Sequence, residues 1–331
     1  MRLIYQLVNN YGVAIVLFTI ITKILLFPIS YKQQKNTLRM QLIQPKLKKL
    51  QAKYKDKPQE LQQAQMQLYQ EEHVNPMSSC LPMFLQFFLL FGVLDVVYKP
   101  LTHILHYSKS VISKVVEIST GILGDSVAKQ YTGLRQELGV LKAFQDNPSA
   151  FSNVDTFDTS KVSDFMEHFT VFGVNLGETP TWHPEVWNTS AVILFCIPLL
   201  SGILQLIMTI YMQIMQKKRG TAPEQNMGCM NVMLYVMPLF SVWFAFQVSA
   251  GVGFYWACSS FFSLLQTIGL NLYFTPERGA KIIEKENKKM EARYAAGKQS
   301  FTERVMNQNA GAARVQETEK TKNMSNRELS S

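Results

Sequence analysis

Five segments of the chain, 12–30, 78–99, 187–212, 231–248 and 251–274, are almost wholly apolar, and nearly all the charged residues lie outside them. A segment of about 20 such residues crosses a hydrocarbon core about 30 Å thick. Lipid offers no partners for backbone N–H and C=O groups, so each segment must satisfy its own as a helix. That requirement points to an all-α, polytopic membrane protein with a core of five transmembrane helices. The hydrophobic fraction of 47% is ordinary for a globular protein; its segregation into blocks carries the argument.

Lys and Arg concentrate on the side that stays in the cytoplasm. The 31–76 stretch holds nine against four acids, 213–230 holds three against one, and the stretch after residue 274 holds twelve against eight. The 101–185 stretch reverses the balance, with six basic residues and ten acids. The expected order is therefore an extracytoplasmic N-terminus (1–11), a cytoplasmic helical hairpin (31–77), an extracytoplasmic loop (100–186), a cytoplasmic connection (213–230) and a basic cytoplasmic tail (275–331). The first span is expected to target the chain and to stay in it. The net charge of +9 needs no sequence-specific nucleic acid. It is met equally by topology with anionic lipid and by docking of a ribosome.

Within 31–77, Leu47, Leu50 and Tyr54 recur at helical spacing, as do Leu61, Met66, Leu68 and Tyr69. Asp56-Lys57-Pro58 interrupts the pattern, Pro58 suits a helix start, Asn75-Pro76 stops the second arm, and Pro45 is placed to kink the first. Two antiparallel arms follow, readable either as a spacer or as a contact surface. In the 100–186 loop, 101–131 predicts an amphipathic helix near the membrane surface. The 146–160 stretch reads as a loop, and 160–169 as a short helix with Ser160 as N-cap. His103 and His106 lack a third metal ligand, and Asp155 and Asp158 suit turns better than a calcium loop. The first part of the tail predicts a surface helix and the rest disorder.

Covalent chemistry finds no foothold. There is no G-x-S-x-G, no H-E-x-x-H and no phosphate-cradling loop. The four cysteines, Cys80, Cys196, Cys229 and Cys258, lie outside the long loop without metal-ligand spacing, as buried thiols would. Neither an enzyme nor a cofactor is expected. An ion transporter usually places acids in its spans; here Asp95 stands near the end of the second, where Lys99 can pair with it at i, i+4. A small-solute transporter or channel is the alternative. It predicts inverted repeats, and five spans do not divide into halves.

One residue resists this scheme. Lys23 stands mid-span in FTIITKILLFPISY, where a charge costs about 2.5–3.5 kcal/mol on insertion scales. Either it faces a water-filled cavity, or its stem snorkels the ~9 Å to the end of the span. Position alone does not choose.

Three stretches, GVAIVLFTIITKILLFPISYKQQ, QPKLKKLQAKYKDKPQELQQAQMQLYQEEHVNPMSSCLPMFLQFFLLFGVL and VMPLFSVWFAFQVSAGVGFYWACSSFFSLLQTIGLN, are similar to core segments of one family. Together with IPLLSGILQLIMTIYMQ, they resemble the YidC family of membrane-protein insertases, relatives of the mitochondrial oxidase-assembly and chloroplast albino insertases. The resemblance implies a hydrophilic groove open to cytoplasm and lipid, with Lys23 where the family usually has Arg. It implies a groove lined by Thr19, Thr22, Gln205, the aromatic pair Tyr255 and Trp256, Ser259 and Ser263. Lys46, Lys48, Lys49, Lys53 and Tyr54 of the hairpin become candidate contacts. The implied partners are nascent membrane proteins, the lipid bilayer, the ribosome and the general secretion channel. The implied location is a bacterial cytoplasmic membrane, in a cell bounded by one membrane, since the family's large extracytoplasmic domain is missing before the first span.

Overall fold

A computed structural model of the chain describes residues 1–72, 74, 81–219 and 228–295. The expected stop at Asn75-Pro76, Cys80 and the tail beyond residue 295 lie outside the described residues.

Helix α1 (Arg2–Val8) ends in the left-handed Asn9. Helix α2 (Tyr11–Lys53) starts where the Asn10 side chain accepts a hydrogen bond from Val13 N at 3.0 Å. It runs unbroken for 43 residues, about 65 Å. The stretch expected as a span, 12–30, and the first arm of the hairpin that follows it are one continuous helix. The residues after the span are Gln, Lys, Leu and Met, good helix formers with no Gly or Asn stop among them until Asn36. Pro28 and Pro45 each remove one backbone donor without ending the helix. Helix α3 (Pro58–Glu71), with Pro58 in its first turn, folds back on α2. Ile43, Leu47, Leu68 and Val74 form the small core between them.

Helices α4 (Leu81–Tyr98), α9 (Thr189–Lys218), α10 (Gly228–Ala245) and α11 (Ala250–Tyr273) complete a bundle. Helix α11 is its hub, packing against α9, α2 and α4, while α10 lies on α9. The last pair approaches closely at Gly202, where a Cβ would clash with Val242 Cγ2. Among the described residues, α2 and α9 are long and apolar enough to cross a membrane; shorter apolar stretches occupy 84–98 and 235–245. Helix α11 is long enough at 24 residues but carries polar side chains along its length, and these prove to be its function in the fold. Helix α12 (Pro276–Ala295) belongs to a second unit beginning at Phe274. Its exposed face carries a Lys288–Glu284 pair at 2.8 Å.

The 100–186 segment folds into a layer of its own. It comprises α5 (Pro100–His103), α6 (Lys109–Ala128), α7 (Gln136–Asp146) and α8 (Thr159–His168). A two-stranded antiparallel hairpin, β1 (Thr170–Val171) and β2 (Val174–Asn175), follows. The amphipathic stretch is thus broken into α5 and α6, with Ser108 capping α6. The expected cap of α8 is corrected. Asp158, not Ser160, accepts from Ser160 N at 3.0 Å and Lys161 N at 3.1 Å, and the Ser160 hydroxyl itself donates to Asp158 Oδ1. The stretch read as a loop contains a 3₁₀ turn at Pro148–Phe151. The β hairpin was not legible in advance: its turn puts Phe172 at φ 50° and Gly173 at φ 78°, and Phe is rare there. Phe144, Phe151, Phe157, Phe165 and Phe169 make the core of this layer.

The expected Asp95–Lys99 pair forms at 2.6 Å, and His103 joins it, Nε2 lying 2.7 Å from Asp95 Oδ2. Among the described residues no group of three possible ligands could hold a metal. Glu137, 4% exposed, accepts from Thr102 N at 3.0 Å and from the Thr102 hydroxyl. Burial raises its carboxyl above the usual range, more than these hydrogen bonds lower it. A carboxyl raised on folding contributes stability below its unfolded pKa and loses it as pH rises through the folded one. Wild type should therefore lose stability relative to Glu137→Gln as pH is raised from about 4 to 7. Thermal unfolding of both proteins in detergent across that range measures the difference.

Candidate functional site

Between α2, α4, α9 and α11 lies a cavity of about 470 Å³. Its wall on α2 is Lys23, Leu26, Ile29, Ser30, Gln33, Gln34 and Thr37. Its wall on α11 is Trp256, Ser259, Ser260, Ser263, Gln266, Thr267 and Leu270. Both sets advance by three or four residues, so each is one stripe along one helix face. Each stripe covers fifteen residues, about 21 Å over its fourteen steps of about 1.5 Å. Leu85 and Gln86 of α4 and Gln205, Met208 and Met212 of α9 close the sides. Polar residues therefore face one another where an apolar seam would be expected in a bundle core.

Lys23 turns into this cavity. Its Nζ donates to Ser263 Oγ at 2.7 Å and approaches Gln86 Oε1 at 3.5 Å. Gln86 Nε2 donates to Ser259 Oγ at 3.1 Å, and the Tyr255 hydroxyl meets both Gln86 and Ser259. Among the described residues no carboxylate lines the wall, and the neutral oxygens of Ser263 and Gln86 receive the ammonium. Two further wall groups, Gln205 Nε2 and Gln266 Nε2, are buried and have no partner among the described residues. At the far end of the stripes Gln34 Nε2 donates to Asn271 Oδ1 at 3.0 Å, and the Arg219 guanidinium reaches Gln41 Oε1 and the Asn271 carbonyl, each at 3.4 Å. These bonds tie α2, α9 and α11 together at that end.

Of the sequence-predicted groove residues, Lys23, Gln205, Trp256, Ser259 and Ser263 come together in the wall. Thr19 and Thr22 do not. Both are buried, and their hydroxyls donate at 2.7 Å to the carbonyls of Ile15 and Phe18 one turn back. A threonine in a helix has this partner at hand without any neighbour. Tyr255 stands behind the wall, 1% exposed, and reaches the cavity only through Gln86 and Ser259. Ser30, Gln33, Gln34 and Thr37 were missed because they were assigned to the end of the span and the hairpin. Their signal was the spacing 23, 30, 37 and 26, 33 in one continuous helix.

On the hairpin, Lys46, Lys49 and Lys53 are exposed at helical spacing. Lys46 pairs with Glu72 of the opposite arm, and Lys53 lies 5.1 Å from the Tyr54 ring centre. Lys48 is half-buried, and Tyr54 ends α2 with its N–H on the Leu50 carbonyl.

Apolar helices enclosing a polar cavity with one half-buried lysine fit a helical membrane protein. The chain belongs to the 60Kd inner membrane protein family, whose model matches residues 3–278. It is 45% identical over 95 residues to a Helicobacter pylori protein named "Membrane protein insertase YidC", covering 29% of this chain and 17% of that protein. A Clostridium tetani protein of the same name is 48% identical over 84 residues, 25% of this chain and 38% of that protein. A Granulibacter bethesdensis protein, again so named, is 43% identical over 95 residues. The aligned segments thus span well under half the length of the curated relatives.

Proposed function

We propose that this chain is a membrane-protein insertase that acts by binding, without covalent catalysis. In this reading α2, α4, α9, α10 and α11 span the bacterial cytoplasmic membrane, with residues 1–11 and 100–186 outside and the hairpin and tail in the cytoplasm. The observation that carries it is Lys23 between two facing polar stripes, received by Ser263 and Gln86 with no acid among the described residues of the wall. A buried amide without a partner costs about 1–3 kcal/mol, so Gln205 and Gln266 favour a hydrated cavity. Water there shortens the dry path that a polar tail must cross. Lys23 attracts the acidic residues of that tail. The hydrophobic segment of the client then moves into lipid, and its burial, worth about 25 cal/mol per Å², drives the step. The basic hairpin face of Lys46, Lys49 and Lys53 is the proposed first contact for the nascent chain, with the ribosome and the general secretion channel as further partners.

The test is insertion of a single-span reporter with a short acidic N-terminal tail, read by protease protection of the tail. Cells depleted of this protein should accumulate uninserted reporter, and vesicles containing the purified chain should insert it. Equal protection with and without the protein in both settings would dismiss the reading. Uptake of a small polar solute by the same vesicles, without insertion, would favour a transporter.

A further inference from the structure

The insertion reading gives helix α12 no task, and its charge pattern calls for one. The helix opens on Thr275, whose hydroxyl accepts from Arg278 N at 3.3 Å and whose carbonyl accepts from Gly279 N at 2.7 Å. With about 100° of rotation per residue, Arg278, Lys281, Lys285, Lys288 and Lys289 of this helix fall within one arc of about 100°. All five are exposed. Glu277, Glu284 and Glu286 lie outside that arc. Gly279 and Ile283, well around the helix from its centre, are buried. The helix thus keeps its apolar edge covered and its basic face open.

Such a stripe works against the helix that carries it. Lys281 follows Arg278 by three residues and Lys285 follows Lys281 by four, while Lys288 and Lys289 follow Lys285 by three and four. Like charges at these spacings repel and weaken a helix. A surface that needs only solubility mixes the two signs, and the Lys288–Glu284 pair at 2.8 Å does so at one edge of the arc. A polyanion laid against the stripe would offset the repulsion along the rest.

Chain connectivity says which polyanion is at hand. Two residues separate Tyr273, the last of α11, from Pro276, the first of α12. Three steps of extended chain span about 10 Å at most. In the membrane-spanning reading, on which this inference rests, α11 ends at the cytoplasmic surface. The first turn of α12 then stays within about 10 Å of that surface, roughly one Debye length at 0.1 M salt. The cytoplasmic leaflet is anionic and draws cations placed beside a span. An RNA backbone presents similar charge, but a partner has to bring it to the membrane, whereas lipid is present as soon as the chain is inserted.

We infer that the Arg278, Lys281, Lys285, Lys288 and Lys289 face of α12 docks on anionic phospholipid headgroups of the cytoplasmic leaflet and holds the helix along the membrane beside the end of α11. Each charge brought to that surface strengthens the contact about fivefold, and salt weakens it.

The experiment measures which face of the helix lipid shields. The full chain, with its four native cysteines replaced by Ser, is placed in lipid nanodiscs and carries a neutral nitroxide at one of two exposed positions. Lys285→Cys puts the label in the middle of the stripe. Asn287→Cys puts it about 160° around the helix. Power saturation reads collisions of the label with a neutral, water-soluble nickel chelate. Relative to pure phosphatidylcholine, about 30% phosphatidylglycerol should cut collisions at 285 about threefold and leave 287 within about 1.3-fold. Salt at about 1 M should abolish the difference, and so should Lys281→Gln, Lys288→Gln and Lys289→Gln combined. The lineshape at 287 reports whether the helix is intact. If the triple variant melts it, the lipid and salt comparisons decide alone. Equal collision rates at 285 in the two lipids would overturn the proposal. Shielding that appears only when purified ribosomes are added would overturn it too, and assign the stripe to RNA. Reporter insertion by the same protein in vesicles is measured separately. Shielding without insertion would count against the insertase reading and leave the lipid contact standing, while insertion without shielding would remove the contact alone.

Discussion

Lys23→Ala should abolish most insertion of a reporter with an acidic N-terminal tail, while Lys23→Arg should retain it. The ammonium is held by two neutral oxygens, Ser263 Oγ and Gln86 Oε1, which orient it without cancelling its charge. A hydrogen bond to a charged group is worth about 1.5–3 kcal/mol, so losing the contact with a client carboxylate lowers its occupancy of the groove about 10- to 100-fold. Arg keeps the charge and adds a two-pronged donor. A reporter whose tail has Asn and Gln in place of its acids should respond far less to either substitution. Protease protection of the four combinations measures the coupling. Equal loss for the acidic and neutral tails would mean that Lys23 holds the bundle together and does not attract the client.

The largest stability loss is expected at Tyr11→Ala. Tyr11 is fully buried where α1, α2 and the 100–186 layer meet. Its ring lies 4.8 Å from that of Phe169, 6.0 Å from Tyr5 and 6.1 Å from Phe165, and its hydroxyl donates to the Val96 carbonyl at 3.3 Å. Truncating a buried aromatic costs about 3–5 kcal/mol. Tyr11→Phe, which loses only the hydrogen bond, should cost about 1 kcal/mol. Leu7→Ala, at a side chain 84% exposed, should change stability by about 0.5 kcal/mol or less. Unfolding of the three variants in detergent micelles, followed by heat and by added denaturing detergent, ranks them. An unfolding curve for Tyr11→Ala that overlays Leu7→Ala would show that the layer does not rest on this residue.

Several features were legible because they depend on residues close in sequence. Helices at the apolar blocks follow from the backbone's need for partners, and the Asp95–Lys99 pair follows from i, i+4 spacing. His103 lies one further turn along, where the sequence offers it no third metal ligand beside His106; it joins that pair because α5 continues almost directly from α4. The cap of α8 went to Asp158 because a carboxylate two residues ahead of Ser160 accepts two backbone N–H groups and the serine hydroxyl at once. Thr22 stands about 100° around the helix from Lys23, and Thr19, on the same face one turn back, lies before the α2 wall begins at Lys23; both hydroxyls bond their own backbone.

The sequence by itself determined where the chain is apolar, hence where it is helical, and it singled out Lys23 as a mid-span charge that no acid in a span can neutralise. Those properties arise from composition over one or two turns. Only the tertiary structure decided which faces meet. It set the α2 stripe from Lys23 to Thr37 opposite the α11 stripe from Trp256 to Leu270, and it brought Leu176 onto Gly251. Such pairings depend on how rigid helices pack across long stretches of chain, and a helix carries the same periodicity whichever neighbour it finds.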